Sequence, residues 1–440
     1  MDIADTGRSR LKILFANVPA DGHFNPLTGL AAHLHEAGHD VRWYTGAGYA
    51  ARLEALGIPH FPFRRAREIN GDNVADVFPE RARLKGPALI KFDFEQFFVL
   101  NVASYFDDIR EIDTEFSFDV LVCDVAFLGA RLARQALGRH AVAIGPGPRL
   151  DTSKAVPPNF VGLKPARTPI GRGVHRAMAK VMDRMVLAHG RDIYNKVLVS
   201  HVLAPVQGSM FDEFYRGPEI VFQCSVPGFE YPRPETNTQV RYIGLLPEHR
   251  RSSPRGVEHA EKRRAGQRLI LVSQGTVDNR DPDKLIVPAL KALVDSGDLL
   301  VVGTGHRNTE RIRKEFPQAN VVIEDYIDFA GVLEEADLFI CNGGAGSVLL
   351  SLSKGVPILG AGIREGKNDI NAHVDYFGVG VDLKTERPTP DQIRRAAERV
   401  LGDPQYRRRA TELQVELARY RPLEIIDQYL AAAIPAGAKS

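Results

Sequence analysis

Apolar positions in this chain come in two kinds of stretch, short apolar runs and longer stretches of helical period, and the two alternate. Residues 11–18 form an apolar run that ends at Pro19-Ala-Asp-Gly22, as a strand buried on both faces of a parallel sheet does. Asn25 is then placed to cap a helix with Pro26 at its first position. Leu27, Leu30, Ala31 and Leu34 share one face of it, and Gly38 ends it. Residues 41–45 supply the next strand. Strand, helix, strand is the opening of a doubly wound sheet, whose ligands gather at the carboxyl ends of its strands. Residues 118–124 repeat the pattern with a strand that ends in Asp124, followed by a helical stretch, 128–137. The spans 60–100 and 145–200 are less regular and read as binding loops, although Phe92, Phe94, Phe97 and Phe98 read first as ordinary core.

A second unit of the same kind begins at residue 269, beyond a Pro- and charge-rich span, 227–264, that reads as an interdomain connection. Strands are predicted at 269–272, 299–302, 321–323 and 338–341, with a helix at 284–294 opened by Asp281 as cap and Pro282 as first residue. Helices follow at 390–401, 406–418 and 423–433. The whole pattern predicts an α/β protein of two Rossmann-like doubly wound domains. Their bounds are residues 1–230, a connection at 231–265, residues 266–420 and a final helical segment at 421–440.

Two turns in the second unit suit an anion. Asn342-Gly-Gly-Ala-Gly346 leaves one strand and enters a helix over 347–353, so unpaired amides and the positive end of a helix dipole meet there. Gly344, Gly346 and Ser347 are its candidate phosphate or diphosphate donors, unless the glycines serve only a tight turn. Ser273-Gln-Gly-Thr276 follows another strand, and the amides and hydroxyl of Gly275 and Thr276 point to the same chemistry. In the first unit, His23 lies in the loop after the first strand, a place that presents side chains. Asp124 belongs at the same sheet edge. A carboxylate there accepts a hydrogen bond from one imidazole nitrogen, fixes the tautomer and stabilises the imidazolium formed when the other nitrogen takes a proton. Helix capping is the competing role for Asp124. His33, His35 and His39 read as surface residues.

The chain has 440 residues, 44% hydrophobic and 25% charged, enough for two cores. Lys and Arg number 57 against 55 Asp and Glu, so overall charge gives no reason to expect nucleic acid or an anionic membrane as partner. Cys123, Cys224 and Cys341 are isolated, which fits a reduced, cytoplasmic protein without structural zinc. The amino-terminal residues lack the apolar core of a signal peptide, and no run reaches the roughly 18 to 20 apolar residues of a transmembrane segment.

The order of Asn342 to Ser347, Lys354-Gly-Val-Pro357, Gly366-Lys-Asn-Asp-Ile-Asn-Ala-His373 and Phe377-Gly-Val-Gly380 resembles the donor-binding signature of the nucleotide-sugar glycosyltransferases of the GT-B fold. That family includes plant natural-product glucosyltransferases and bacterial antibiotic glycosyltransferases. Gly22-His-Phe-Asn-Pro26 matches the family's Gly-His-x-x-Pro. The resemblance implies two domains facing across a cleft, the first holding the acceptor and the second the nucleotide-sugar donor, with a last helix that returns to the first. It implies inverting transfer of a sugar from a UDP- or dTDP-linked donor to a hydroxyl of a small lipophilic acceptor, without metal or cofactor. His23 is then the general base and Asp124 its partner. Donor contacts come from Gly275, Thr276, Asn342, Gly344, Gly346 and Ser347, with Tyr326 against the base.

Three positions depart from the family pattern. Asn342 stands where the diphosphate-binding His is usual, Leu350 where a Glu holds the ribose hydroxyls, and Lys367-Asn368 where an Asp/Glu-Gln pair contacts the sugar. These changes imply a retuned donor pocket that suits a deoxyribose donor such as a dTDP-sugar, or a Lys367 that binds phosphate or an acidic sugar. Asp281-Pro-Asp283 resembles the metal-holding Asp-x-Asp of other glycosyltransferases, but its place at a helix start favours capping. Two other readings are a non-catalytic sugar-nucleotide-binding auxiliary protein and a sugar-nucleotide epimerase of the same fold. No motif bears on the oligomeric state.

Overall fold

A computed structural model describes residues 10–69, 73–249, 263–275 and 280–434. The described residues form two sheets, and every strand pairing in them is parallel. The first contains β1 Lys12–Ala16, β2 Asp40–Thr45, β3 His60–Pro62, β4 Val120–Asp124, β5 His140–Gly145, β6 Ile220–Gln223 and β7 Val240–Tyr242, in the order β3-β2-β1-β4-β5-β6-β7. The second contains β8 Leu269–Ser273, β9 Leu299–Gly303, β10 Val321–Glu324, β11 Leu338–Cys341, β12 Ile358–Gly360 and β13 Gly380–Asp382, in the order β10-β9-β8-β11-β12-β13. Strand order reverses between β1 and β4 in the first sheet and between β8 and β11 in the second. In doubly wound sheets the crevice at such a reversal is where ligands bind.

The short apolar runs became strands because both faces of each sheet are covered. Ile13, Phe15, Trp43, Val120 and Val122 pack with Leu27, Leu30 and Leu34 of the helix Asp21–Glu36. Leu14, Ala16, Tyr44, Leu121 and Cys123 pack on the other face with Tyr105, Phe106 and Ile109. At about 25 cal/mol per Å² of apolar area, each such side chain contributes roughly 1.5 to 3 kcal/mol.

Several boundaries differ from the sequence-based expectation. The helix after β1 begins at Asp21, four residues before the expected cap at Asn25, and runs through Pro26. The Ala20 carbonyl accepts from the His23 and Phe24 amides at 2.9 and 3.0 Å, which starts the helix early, and Pro26 removes one later bond without ending it. The spans read as loops are largely helical, with Gly86–Asp93, a wide turn Phe94–Val99, Pro169–Met182 and Ala188–Ser200, and a further helix, Val102–Glu115, follows the first of them. Their period is carried by Ile90, Phe94 and Phe98, spaced four apart on one face against the core. The first sheet also takes its last strand, β7, from the stretch read as connection. His33 and His39 do structural work: His33 Nε2 lies 3.0 Å from Asp427, and the Leu11 amide donates to His39 Nδ1 at 3.1 Å. Asp427 belongs to the final helix Pro422–Ala433, whose Ile426 and Leu430 are buried and whose Tyr429 ring meets Phe222 of β6 at 5.4 Å. Among the described residues no helix is long and apolar enough to cross a membrane.

Candidate active site

His23 stands in the first turn of the helix that follows β1, and Asp124 ends β4, so both lie at the first strand reversal. Their side chains meet, with Nδ1 of His23 2.8 Å from Oδ1 of Asp124. The carboxylate is buried and held on both oxygens, since the Val18 amide donates to Oδ2 and the Ala126 amide to Oδ1, each at 2.9 Å. It does not cap the next helix, Ala130–Gln135, where Gly129 occupies the cap position. A carboxylate only accepts, so His23 carries its proton on Nδ1 and leaves the Nε2 lone pair for a substrate proton. Burial pulls the His23 pKa down, but the charge of Asp124 and its hydrogen bond outweigh burial and leave it above the ordinary histidine value. The ring is a quarter exposed, at 25%.

An aromatic wall extends from this pair toward the second domain. The Phe98 ring lies 5.9 Å from that of His23, Phe214 follows at 6.4 Å, Phe211 at 6.1 Å and Phe160 at 5.6 Å from Phe211. Phe160 sits where a Cβ on Gly366 would be 3.5 Å from its ring. Sequence reasoning left Phe98 out of the site; its signal was the four-residue spacing with Ile90 and Phe94.

The second reversal carries the glycine turns. Gly275 follows β8 with φ +74°, and Thr276 lies outside the described residues. Gly343 follows β11 with φ +85°, and a Cβ on it would lie 2.7 Å from Cγ of Asn371. Gly344 is the cap of the helix Ala345–Ser353, with Gly346 in its first turn. Two placements differ from the expectation that these residues face a ligand. The Ser347 hydroxyl donates to the Gly344 carbonyl at 2.9 Å, and the Asn342 amide donates to the Gln274 carbonyl, which ties the two glycine turns together. Leu350, on the same helix, packs partly buried against the core and offers no acceptor.

Lys367 opens the helix Lys367–Tyr376, and its ammonium is paired with Glu365 at 2.8 Å, so its charge is already balanced. Asn368 faces Gly162 of the first domain and has its Oδ1 buried without a hydrogen-bond partner. Tyr326 is 60% exposed beyond β10, edge-on to the His306 ring at 4.3 Å, and His306 pairs with Asp325 at 3.2 Å. Asp281 accepts from the Asp283 amide at 3.2 Å and pairs with Arg387, while Asp283 pairs with Arg311 at 2.7 Å, so both carboxylates are engaged locally.

The two edges meet. The Gly162 amide donates to Asp369 at 2.7 Å and the Phe160 amide to its other oxygen, with both residues in the left-handed region. Burial raises the Asp369 pKa to about 6 against the pull of these amides. The loop after β5, pinned by the buried Arg149–Asp151 pair at 3.0 Å, brings Gly147 to Ala345 at the start of the glycine-turn helix. Glu248 lies beside Gly346, where a Cβ would be 3.5 Å from its carboxylate oxygen. Asp369, Asn371 and Glu248 were not foreseen as site residues. Asp369, three residues past Gly366 at a helix start, and Asn371, in the stretch that aligns the donor signature, carried a usable signal, whereas Glu248 carried none.

Residues 289–432 match the model of the Erythromycin biosynthesis protein CIII-like, C-terminal domain. The chain is 32% identical over 412 residues to 4'-demethylrebeccamycin synthase of Lentzea aerocolonigenes, covering 92% of this chain and 96% of that protein. It is 28% identical over 438 residues to UDP-glycosyltransferase 2 of Phaeomoniella chlamydospora, covering 94% and 93%. The crystal structure of the glycotransferase of kitacinnamycin superposes with a TM-score of 0.74 at 19% identity, covering 97% of this chain and all of that one, 100%. Fold, sequence and glycine signature agree, and the chain belongs to the GT-B natural-product glycosyltransferases, the family that includes the UDP-glycosyltransferases.

Proposed function

We propose that this glycosyltransferase moves a sugar from a nucleoside diphosphate to a hydroxyl of a small lipophilic acceptor, with inversion at the anomeric carbon. The observation that carries this reading is the 2.8 Å contact of His23 with Asp124 at one strand reversal, opposite the glycine turns of the other. The acceptor O–H gives its proton to Nε2 of His23 as its oxygen bonds the anomeric carbon. The anomeric bond to phosphate breaks, and its electron pair leaves with the diphosphate. Asp124 holds the ring and stabilises the imidazolium; general-base help of this kind contributes about 100- to 10,000-fold in rate.

Amides at Gly344 to Ser347, with the positive end of their helix, hold the departing diphosphate, so this reading needs no metal or cofactor. Gly275 and Thr276 flank them, Asn342 braces the turns, and Tyr326 lies flat against the base. The wall of Phe98, Phe214, Phe211 and Phe160 supports a lipophilic, ring-bearing acceptor. Leu350 supports a donor whose sugar ring at the nucleoside lacks a hydroxyl, a dTDP-sugar before a UDP-sugar. A reduced, cytoplasmic setting suits the three cysteines, which are buried and free.

The test is to incubate the purified chain with a panel of sugar nucleotides, with and without an aromatic alcohol, and to follow the diphosphate and the anomeric configuration. Donor consumption that depends on acceptor and yields the inverted glycoside is expected. Conversion of the sugar nucleotide without any acceptor would make the protein an epimerase, and binding without consumption an auxiliary protein.

A further inference from the structure

The helix Pro169–Met182 buries none of its residues. Its start is specified locally, because the Thr168 hydroxyl accepts from the Gly171 amide at 3.1 Å and Pro169 fills the first helical position. The segment meets the core at Met182 and at the wide turn Asp183–Leu187 that continues it, where Val186 and Leu187 are buried. Along its outer face Ile170, Val174, Met178, Val181 and Met185 are 81, 52, 38, 56 and 62% exposed. Their spacing of three or four residues makes one continuous apolar stripe. Arg176, Lys180 and Arg184 recur every four residues along one flank of the stripe, all exposed, and none has an acidic partner among the described residues.

Scattered exposed apolar residues are normal, whereas a continuous stripe of this length marks a face that something covers. Charge selects the cover. The flank is purely cationic, so an antiparallel second copy would set Arg176, Lys180 and Arg184 beside their own images. A bilayer with anionic headgroups neutralises the row while its acyl layer receives the stripe, and the helix lies in the plane between them. Position agrees. The wide turn packs on Gly86–Asp93, and the helix Ala188–Ser200 packs on Phe94–Val99, the turn that brings Phe98 to His23. Gly190 admits the Phe94 ring so closely that a Cβ there would be 2.8 Å away. The stripe is therefore one packing layer from the proposed base.

We infer that the face of residues 169–185 docks the enzyme on an anionic lipid bilayer, with the acceptor side of the cleft turned to the lipid. The delivery of acceptors from lipid rests on the proposed function; the docking does not.

The full chain is floated with vesicles of phosphatidylcholine alone or mixed with phosphatidylglycerol, with no donor or acceptor present. Two variants accompany it, Val174→Ser/Met178→Ser/Val181→Ser and Arg176→Gln/Lys180→Gln/Arg184→Gln. Binding to the anionic vesicles alone is expected, weakened by added salt and reduced about tenfold or more in each variant. Since both variants change only exposed positions, their melting temperatures and transfer to a water-soluble acceptor stay at the parent values. Absence of binding, or binding that neither variant weakens, overturns the inference. So does a dimer that the apolar variant dissolves, which would assign the stripe to a second copy. A protein that floats but transfers no sugar keeps the docking and loses the function proposed above.

Discussion

Asp124 reaches His23 across the reversal of the first sheet, Oδ1 to Nδ1 at 2.8 Å, although the two are 101 positions apart in sequence. The Val18 and Ala126 amides fix the carboxylate, so it cannot follow the ring if the ring turns. The imidazole is thereby fixed in tautomer and in direction, and the pair has two opposed influences on its proton. Burial favours the neutral ring, and Asp124 favours the charged one and prevails.

That balance fixes the sign of a pH effect. As the proposed base, His23 must be neutral to accept a proton, so transfer should rise with pH through its elevated pKa. In Asp124→Asn the charge is gone while the burial remains, so the inflection of the pH–rate profile should move to lower pH as the maximal rate falls. His23→Ala should lose about 100- to 10,000-fold in kcat with nucleotide affinity unchanged. Profiles at saturating donor and calorimetric titration with nucleoside diphosphate check both; an inflection that stays in place in Asp124→Asn would detach Asp124 from the chemistry.

His373 gives a second pH effect, on stability. Its ring is buried, stacks on Tyr231 at 3.7 Å and donates from Nδ1 to the Asp369 carbonyl at 2.7 Å. Burial lowers its pKa from 6.5 to about 4, with the Asp369 carbonyl opposing and Arg233 assisting. The unfolded chain therefore takes a proton that the folded chain refuses, and stability is lost as pH falls through that window. Asp369, raised to about 6, works in the opposite direction, so the wild-type curve alone conceals the effect. His373→Phe isolates it. The variant loses a hydrogen bond at every pH, yet its deficit should shrink by roughly 2 to 3 kcal/mol between about pH 7 and pH 4.5. Paired thermal melts across that range measure the change, and a constant deficit would contradict it.

Elements that depend on local period were legible in the sequence. The buried runs became β1, β4, β8 and β11, and the residues at their ends, His23, Asp124, Gly275 and Gly343, came to two crevices. Placement that depends on tertiary partners was not legible. The sequence could not say that Asn342 would turn to the Gln274 carbonyl, that Lys367 would pair with Glu365, or that Phe160 and Gly162 would give their amides to Asp369 across the cleft. Prolines and glycines made residues 145–200 look like loop, yet Pro169 opens a helix there, because a proline in first position gives up an amide that the helix does not use.

Gly343 and Gly344 should respond differently to a methyl group. Gly343 has φ +85°, and its Cβ would lie 2.7 Å from Cγ of Asn371, whose amide is held on the Gly362 carbonyl at 3.1 Å. Gly343→Ala should cost roughly 2 to 4 kcal/mol of stability from backbone strain and overpacking. Gly344 has φ −66°, and its nearest obstacle is the Ser347 hydroxyl at 3.3 Å. Gly344→Ala should keep the melting temperature and raise the donor KM. Melting curves with donor kinetics separate the two; equal losses of stability would remove the distinction.

Leu350 tests the proposed choice of donor. It lies four residues, one helical turn, beyond Gly346, half-buried against the core on the helix whose amides hold the diphosphate in the function proposed above. A ribose 2′-hydroxyl brought against it finds methyl groups in place of an acceptor, and an unpaired buried hydroxyl costs about 1 to 3 kcal/mol. A deoxyribose nucleotide has no such group to lose. The ratio of kcat/KM for dTDP- over UDP-linked forms of one sugar should therefore exceed about tenfold, since 1.4 kcal/mol is a factor of ten. Leu350→Glu restores an acceptor at that point and should bring the ratio toward unity chiefly by improving the UDP-linked donor, with a melting curve run beside it to exclude loss of fold. A parent enzyme that prefers the UDP-linked form, or a ratio that Leu350→Glu leaves in place, would mean that this helix face does not touch the ribose.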